Sequence, residues 1–266
     1  MLSDPSSTLG ISTNIRLPVL YGRKAVFFVQ ILDIFFPKRC IHCGKVGRYF
    51  CAGCRGKIRV IAENEPICPM CEKPAVGGYT HPRCQTRYSP DGLTSFFHYD
   101  GPVRRAVKAI KYRHISDLAS EFVSLVPLTL LRIPIISNQK RSCLIPIPLH
   151  FDRFRSRGFN QAEVFGALLA HKLHVPMRTD ILARTRATTA QVEMKNRKER
   201  LSNMTGAFTI SRSVGSTLTG QKIRKRMIPG IILFDDVFTT GATMRAAANV
   251  LKRNGATYVW AVTMAR

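Results

Sequence analysis

Acidic residues are scarce in this chain. Its 16 Asp and Glu stand against 41 Lys and Arg, a formal net charge of +25 over 266 residues. Such a field attracts polyanions, so nucleic acid, phosphorylated metabolites and anionic membrane surfaces are the partners to weigh. A basic surface kept for solubility is the plain alternative, because the positive residues are spread along the chain and not gathered in one tail. Long apolar runs are missing too. The stretch AVFFVQILDIFF at 25–36 falls short of the roughly 20 residues a spanning helix needs, and it carries Gln30 and Asp33. No small-residue cleavage site follows it before the cysteines begin, so it reads as a short amphipathic helix packed on the body of the protein. A cytoplasmic location is expected. Residues 1–20 read as a mobile leader. A dense Arg and aromatic stripe, of the kind that stacks single strands, is absent as well.

What is present describes a folded chain. A hydrophobic content of 45% with 21% charged residues is that of a globular protein. The length allows one good core with a smaller module beside it.

Cysteine marks the smaller module. Seven of the eight cysteines lie between residues 40 and 84, as CIHC, CAGC, CPMC and HPRC. Zinc takes four soft ligands in a tetrahedron, and each CxxC turn offers two thiolates from one tight knuckle. Cys40, Cys43, Cys51 and Cys54 make one complete set, and Cys68, Cys71, His81 and Cys84 make a second of Cys₃His type. Spacing leaves open which knuckles share an ion. Repeated CxxC pairs without a signal peptide favour metal over a disulfide framework, and a redox CxxC more often stands alone. Both sites are saturated by protein ligands, so two structural zinc ions are expected, stapling a block too small to fold unaided. His42 reads as a spacer within its knuckle, and Cys143 as a core residue on a buried strand.

From residue 91 the pattern alternates. LTSFFHYD reads as a strand and GPVRRAVKAIKYR as a basic helix starting near Pro102. A helical stretch SDLASEFVSLVPLTLLR follows, with Ser116 as its N-cap. SCLIPIPLH is an apolar strand ending in a proline-bearing loop, HFDRFRSRGFNQ continues that loop, and NQAEVFGALLAHKLH is an amphipathic helix. IPGIILF is a buried strand, RAAANVLKRNG a helix closed by Gly255, and TYVWAVTMA a last strand. Alternation of this kind predicts an α/β fold with a mostly parallel sheet, whose ligands bind at the carboxyl ends of the strands. The expected division is 1–36 leader and short helix, 37–90 double zinc ribbon, and 91–266 the larger domain.

One strand end stands out. IILFDDVFTTGAT sets Asp235 and Asp236 where the strand is expected to leave the sheet. Behind them Thr239, Thr240, Gly241, Ala242 and Thr243 form a small-residue loop running into a helix expected near Met244. Backbone N–H groups at a helix start, with three hydroxyls, suit a terminal phosphate, and glycine lets the backbone approach closely. The carboxylates cannot grip phosphate directly; vicinal ribose hydroxyls are their natural donors, with Mg²⁺ nearby. An acidic strand end that merely caps the next helix is the competing reading.

An apolar strand, an acid pair and a Thr-Gly-x-Thr loop resemble the signature of type I phosphoribosyltransferases. Taken in order, the cysteine block, FHYDGPVRRAVKAIKYR, IPIPLHFDRFRSRGFNQAE, LARTRATTAQ, RLSNMTGAF and FDDVFTTGAT resemble the ComF family across residues 34–266. That family includes competence proteins of DNA uptake and relatives linked to gluconate metabolism. The resemblance implies a type I phosphoribosyltransferase-like parallel sheet flanked by helices. It implies that Asp235 and Asp236 hold ribose hydroxyls, residues 239–243 the 5′-phosphate, and Arg153, Arg157 and Asn160 the pyrophosphate. Residues 184–203 would be a closing loop, with Arg186, Thr188, Gln191, Arg200 and Asn203 at its recurring positions. Lys111, Tyr112 and Arg113 match a further recurrent triplet. The chain departs from the family with His81 at a usual cysteine and with QVEMKNRKERLSN lacking a Gly-Leu-Ser run. A long basic stretch, SRSVGSTLTGQKIRKRM, also precedes the signature strand.

Three functions are consistent with these residues. The first is a phosphoribosyltransferase, of the glycosyl-transfer class, with Mg²⁺ and an acceptor the sequence does not identify. The second is a non-catalytic single-stranded DNA-binding accessory protein that works with competence or DNA-uptake proteins. The third is a sensor that binds phosphoribosyl pyrophosphate without turnover.

Overall fold

The computed structural model describes residues 37–112, 116–131, 133–134, 142–185, 206–211 and 230–266. The leader, the apolar stretch at 25–36, Arg113, Arg186, Thr188, Gln191, Arg200, Asn203 and the basic stretch at 212–227 lie outside these residues.

Beyond the cysteine block and its one short helix α1 (Ala52–Arg55), helices and strands alternate. They run β1 (Gly92–Phe97), α2 (Gly101–Tyr112), α3 (Ser116–Ser124), β2 (Ser142–Pro146), α4 (Phe151–Arg157), α5 (Gln161–Leu173), β3 (Leu182–Arg184), β4 (Phe208–Ile210), β5 (Gly230–Val237), α6 (Ala242–Arg253) and β6 (Val259–Ala265). Strands β1, β6, β5 and β2 stand in that order in a parallel four-stranded sheet, and β3 and β4 make a separate antiparallel pair. The mixed α/β class with a central parallel sheet is therefore as the sequence pattern predicts.

The strands read as near-continuous apolar runs because both faces of the sheet are covered. Their pleat sorts the side chains. Ile232 and Phe234 of β5 join Trp260, Val262, Phe122 and Phe165 in one core beneath α2, α3 and α5. Ile231 and Leu233 join Ala261, Met244, Ala248, Leu182 and Phe208 in the other, beneath α6 and the β3–β4 pair.

Four boundaries differ from the sequence pattern, each for a local reason. The helical stretch after Ser116 stops at Ser124 because Pro127 has no N–H to donate, and a 3₁₀ turn at Leu128–Leu131 replaces its end. The segment after His150 forms α4, capped by the His150 side chain accepting from the Asp152 N–H and ended by Gly158 in the left-handed region at φ 76°. β5 does not leave the sheet at Asp235; β6 extends far enough to pair Asp235 with Thr263 and Val237 with Ala265. α6 begins at Ala242, so Ala242 and Thr243 lie in its first turn. Among the described residues no helix is long and apolar enough to cross a membrane.

The cysteine block covers the open edge of the sheet. Ile61 N–H donates to the Phe96 carbonyl at 2.9 Å, His98 N–H donates to Arg59 at 3.0 Å, and Tyr79 bridges to Gly92. An exposed strand edge invites pairing with other chains, and these bonds close most of it.

Candidate functional sites: two cysteine clusters and a strand-edge cleft

The eight ligand positions gather into two clusters in sequence order. Cys40, Cys43, Cys51 and Cys54 form one, and Cys68, Cys71, His81 and Cys84 the other, with the donor atoms of each within 4.8 Å of one another. Tetrahedral zinc with 2.3 Å bonds to sulfur sets sulfurs about 3.8 Å apart, and sulfur and imidazole nitrogen about 3.6 Å apart. Cys43 Sγ lies 3.6 Å from Cys51 Sγ, and Cys71 Sγ lies 3.3 Å from His81 Nδ1. Both clusters fit the ion. His81 Nε2 is 2.9 Å from the Pro74 carbonyl oxygen, which fixes the proton on Nε2 and leaves Nδ1 as the donor to metal.

The thiols respond to their surroundings in opposite ways. Burial opposes ionisation of Cys40, yet the backbone N–H groups of Cys43, Cys51 and His42 outweigh it and bring its pKa down to about 6. Burial and the neighbouring sulfurs push Cys54 up to about 12 and Cys84 up to about 11. Four thiolates this close ionise together only around a cation, which the zinc reading supplies. Cys143 lies apart on β2, buried, with burial raising its thiol to about 11.

The second site lies at the carboxyl edge of the parallel sheet. The pleat separates the two acids. Asp236 is buried at 8% exposure, takes a long 3.4 Å hydrogen bond from Gln161 Nε2 of α5, and accepts from its neighbour Val237 N–H at 2.8 Å. Asp235 is half-buried, accepts from Asp236 N–H at 2.9 Å, and holds its proton well above the usual carboxylate range. Burial is the first cause and the charge of Asp236 the second; Lys111 at the end of α2 pulls the other way. Lys111 is thus brought to the site, while the side chain of Tyr112 and all of Arg113 lie outside the described residues.

Around Asp235 stand the arginines. The spacing of Arg153 and Arg157 on α4 gives them one helical face, and both are half-buried while Arg155 is exposed. Arg157 Nη1 donates to Gln161 Oε1 at 3.3 Å, linking α4 through Gln161 to Asp236. Asn160 is almost fully buried as the N-cap of α5. Its amide donates to Ile147 O and Glu163 Oε1, and its oxygen accepts from Ala162 N–H. Asn160 therefore orients the strand–helix junction that carries Arg157.

Arg184, the last residue of β3, stands at this edge too, whereas sequence reading placed it only at the start of the closing loop. Burial holds its pKa below the usual value, the like charge of Arg153 adds to this, and Asp235 opposes it. Its guanidinium sits 5.5 Å from the Phe208 ring on β4. The signal available in sequence was LARTR, an arginine ending a short strand.

The loop behind the acids is tightly constrained. Gly241 is the N-cap of α6 at φ 68°. A Cβ there would meet the Phe238 ring at 2.5 Å and the Pro69 carbonyl oxygen at 3.1 Å, so conformation and space both call for glycine. The Thr240 hydroxyl is enclosed without a protein hydrogen-bond partner. Buried hydroxyls left this way are rare and point to a ligand or water.

Comparison with known proteins agrees with the two cysteine clusters. Residues 31–85 match the double zinc ribbon domain. The chain is 28% identical to the DNA utilization protein YhgH of Escherichia coli (strain K12) over 204 residues, covering 76% of this chain and 84% of that protein. It is 26% identical to Competence protein F of Haemophilus influenzae over 238 residues, covering 83% and 93%. It is 27% identical to Competence protein ComFC of Bacillus subtilis over 212 residues, covering 77% and 78%.

Two outcomes test these sites. Metal analysis of the purified protein should give two zinc ions per chain, and His81→Ala should reduce this to one; a metal-free protein overturns the assignment. The Asp235 proton gives the second. Because the folded state binds it more tightly than the unfolded chain, the charged pair costs stability as pH rises above the ordinary carboxylate range. Asp235→Asn should raise the melting temperature at neutral pH by about 2–4 °C, the equivalent of about 1 kcal/mol. The gain should vanish near pH 4.

Proposed function

We propose that the chain, which has a double zinc ribbon and resembles competence protein F and ComFC over most of its length, binds a 5-phosphoribosyl ligand at the Asp235 edge and acts in DNA uptake. The observation that carries the ligand reading is the loop at 239–243. It joins a left-handed Gly241 at a helix start to an enclosed, unpartnered Thr240 hydroxyl, directly behind two carboxylates. The names competence protein and DNA utilization protein, borne by the relatives, support the part in DNA uptake.

In this reading Thr239, Thr240, Gly241, Ala242 and Thr243 receive the 5′-phosphate. Asp235, the more accessible acid, accepts from a ribose hydroxyl, and Asp236 braces the strand end from the Gln161 side. Arg153, Arg157 and Arg184 face the pyrophosphate, with Asn160 holding their platform.

The chemistry asked of these groups is modest. Transfer at the anomeric carbon passes through an oxocarbenium-like state while pyrophosphate leaves. The protein positions the sugar, neutralises the growing negative charge with guanidinium groups already in place, and excludes water. Mg²⁺ bound with the pyrophosphate would add countercharge to the leaving group. The acceptor is unassigned, and so is turnover; the activity class proposed is phosphoribosyl transfer.

A second reading has its own support. Arg104 and Lys108 are exposed at consecutive turns of α2, leading to Lys111 beside Asp235. That row of charge suits the backbone of single-stranded DNA, with the cleft holding one sugar-phosphate unit and no transfer taking place.

Titration calorimetry with phosphoribosyl pyrophosphate and Mg²⁺ tests the first reading. Heat should be released by the unmutated protein and abolished in the Asp235→Asn, Asp236→Asn double variant; no binding by the unmutated protein ends it. Binding should also strengthen as pH rises through the raised Asp235 pKa, since a hydroxyl donor needs the ionised carboxylate, and Asp235→Asn should remove that dependence. For the second reading, oligonucleotide affinity measured by fluorescence anisotropy should fall steeply with added salt, and less steeply in Arg104→Ala, Lys108→Ala. An affinity unchanged by salt rejects it.

A further inference from the structure

We propose that the second cysteine knuckle is the rear support of the phosphate loop, and that Arg245 is the positioning residue joining them. The inference rests on the phosphoribosyl reading above for its ligand, but the contact itself does not.

Arg245 lies in the first turns of α6. Its Nη1 donates to the Met70 carbonyl at 2.7 Å, across 175 residues of sequence. Its Nη2 donates to the Thr240 carbonyl, and its backbone N–H donates to Gly241 O at 2.9 Å. The Glu72 carboxylate stands 3.9 Å away, and the Arg245 side chain is only 13% exposed. One guanidinium therefore holds two carbonyls together. Thr240 belongs to the loop, and Met70 belongs to the metal knuckle Cys68-Pro69-Met70-Cys71.

The Met70 carbonyl is part of the peptide unit that carries Cys71. When zinc holds the Cys68 and Cys71 sulfurs, that peptide is fixed between them, and Glu72 N–H closes the turn on Cys68 O at 2.9 Å. Glu72 itself sits in the left-handed region at φ 63°, a conformation that the closed turn maintains. Immediately beside it, the Pro69 carbonyl backs onto Gly241, where a Cβ would already lie in tight contact with it at 3.1 Å. The loop has no slack on this side. A knuckle that loses its ion loses both sulfur anchors, and the carbonyls of Pro69 and Met70 then stop defining where residues 240 and 241 lie.

The first cluster is attached elsewhere. Glu121 of α3 accepts from Tyr49 and Phe50 N–H at 3.3 and 3.0 Å, and Arg105 of α2 donates to His42 O at 2.5 Å. Those contacts lie on the opposite face of the sheet from α6, beside the core that α2 and α3 cover. Of the two cysteine clusters, the second is the one whose knuckle contacts the loop at 240–241.

Two sites joined through one element influence each other reciprocally. Ribose 5-phosphate, the probe, should slow chelator-driven loss of one of the two zinc ions, by between about 5- and 150-fold, the usual range for coupled sites. Zinc release is followed with a metallochromic dye on the full chain. In Arg245→Gln, still loaded with two zinc ions, ribose 5-phosphate should bind more weakly by a similar factor and give no protection. Arg245→Lys reaches one carbonyl only and should lose the protection as well, which keeps the test open if the first variant does not fold. Protection equal to that of the unmutated protein in either variant overturns the proposal. A ligand-free arm separates this failure from failure of the ligand reading: hydrogen exchange at amides 239–245 should quicken in His81→Ala and stay unchanged in Cys43→Ala. Unchanged exchange in His81→Ala overturns the coupling. Quickened exchange without any binding of ribose 5-phosphate sustains the coupling and discards the ligand.

Discussion

The pairing of β5 between β2 and β6 is the constraint on which the rest of the molecule depends. Parallel strands bring their carboxyl ends to one edge, and the register Asp235↔Thr263, Val237↔Ala265 carries the acid pair into the ladder itself. Held there, the two carboxylates cannot relax apart along the chain. The pleat sends one toward α5 and leaves the other among Arg153, Arg184 and Lys111. Everything chemical at this edge, from the raised Asp235 proton to the crowding of like-charged guanidiniums, follows from that placement.

Such an edge is costly to build. Burial and the Asp236 charge keep the Asp235 proton on; burial and Arg153 weigh against the charge on Arg184. Like charges brought together, and a hydroxyl enclosed without a partner, lower stability unless a ligand answers them. The proposed ligand, bearing both hydroxyls and phosphates, would answer each of them at once. The fold offsets the cost with two apolar cores, one on each side of the sheet, and with a ribbon module whose own folding draws on metal.

That ribbon is more than an appendage. It pairs along β1, clasps α2 and α3 through the first cluster, and reaches α6 through the second. A strand edge that would otherwise be open to other chains is closed by the same module that brings the Pro69 and Met70 carbonyls against the loop at 240–241. The second cysteine cluster and that loop share one wall.

Much of this was legible in the chain itself. The apolar runs, the helical faces and the CxxC spacing are local, and local patterns follow from backbone geometry and ligand chemistry alone, so the α/β order and the eight ligand residues could be read directly, while the structure decided which of them share a cluster. The Thr-Gly-x-Thr loop was equally plain, because glycine among hydroxyl residues ahead of a helix is a local signal for a close-approach turn. Boundaries set by partners were not. β5 runs through Asp235 only because β6 is long enough to pair with it, and α4 forms where a loop was expected because His150 and Gly158 cap a segment too short to announce itself. The roles of Arg184 and Lys111, and Arg245 altogether, escaped for the same reason: each acts on residues far away in sequence. The sequence by itself determined the kinds of group available, soft ligands in pairs, an acid pair, a hydroxyl loop and abundant arginine. Only the tertiary structure decided which of them meet, because charge repulsion, burial and a guanidinium spanning two carbonyls exist only once distant segments share a few ångströms.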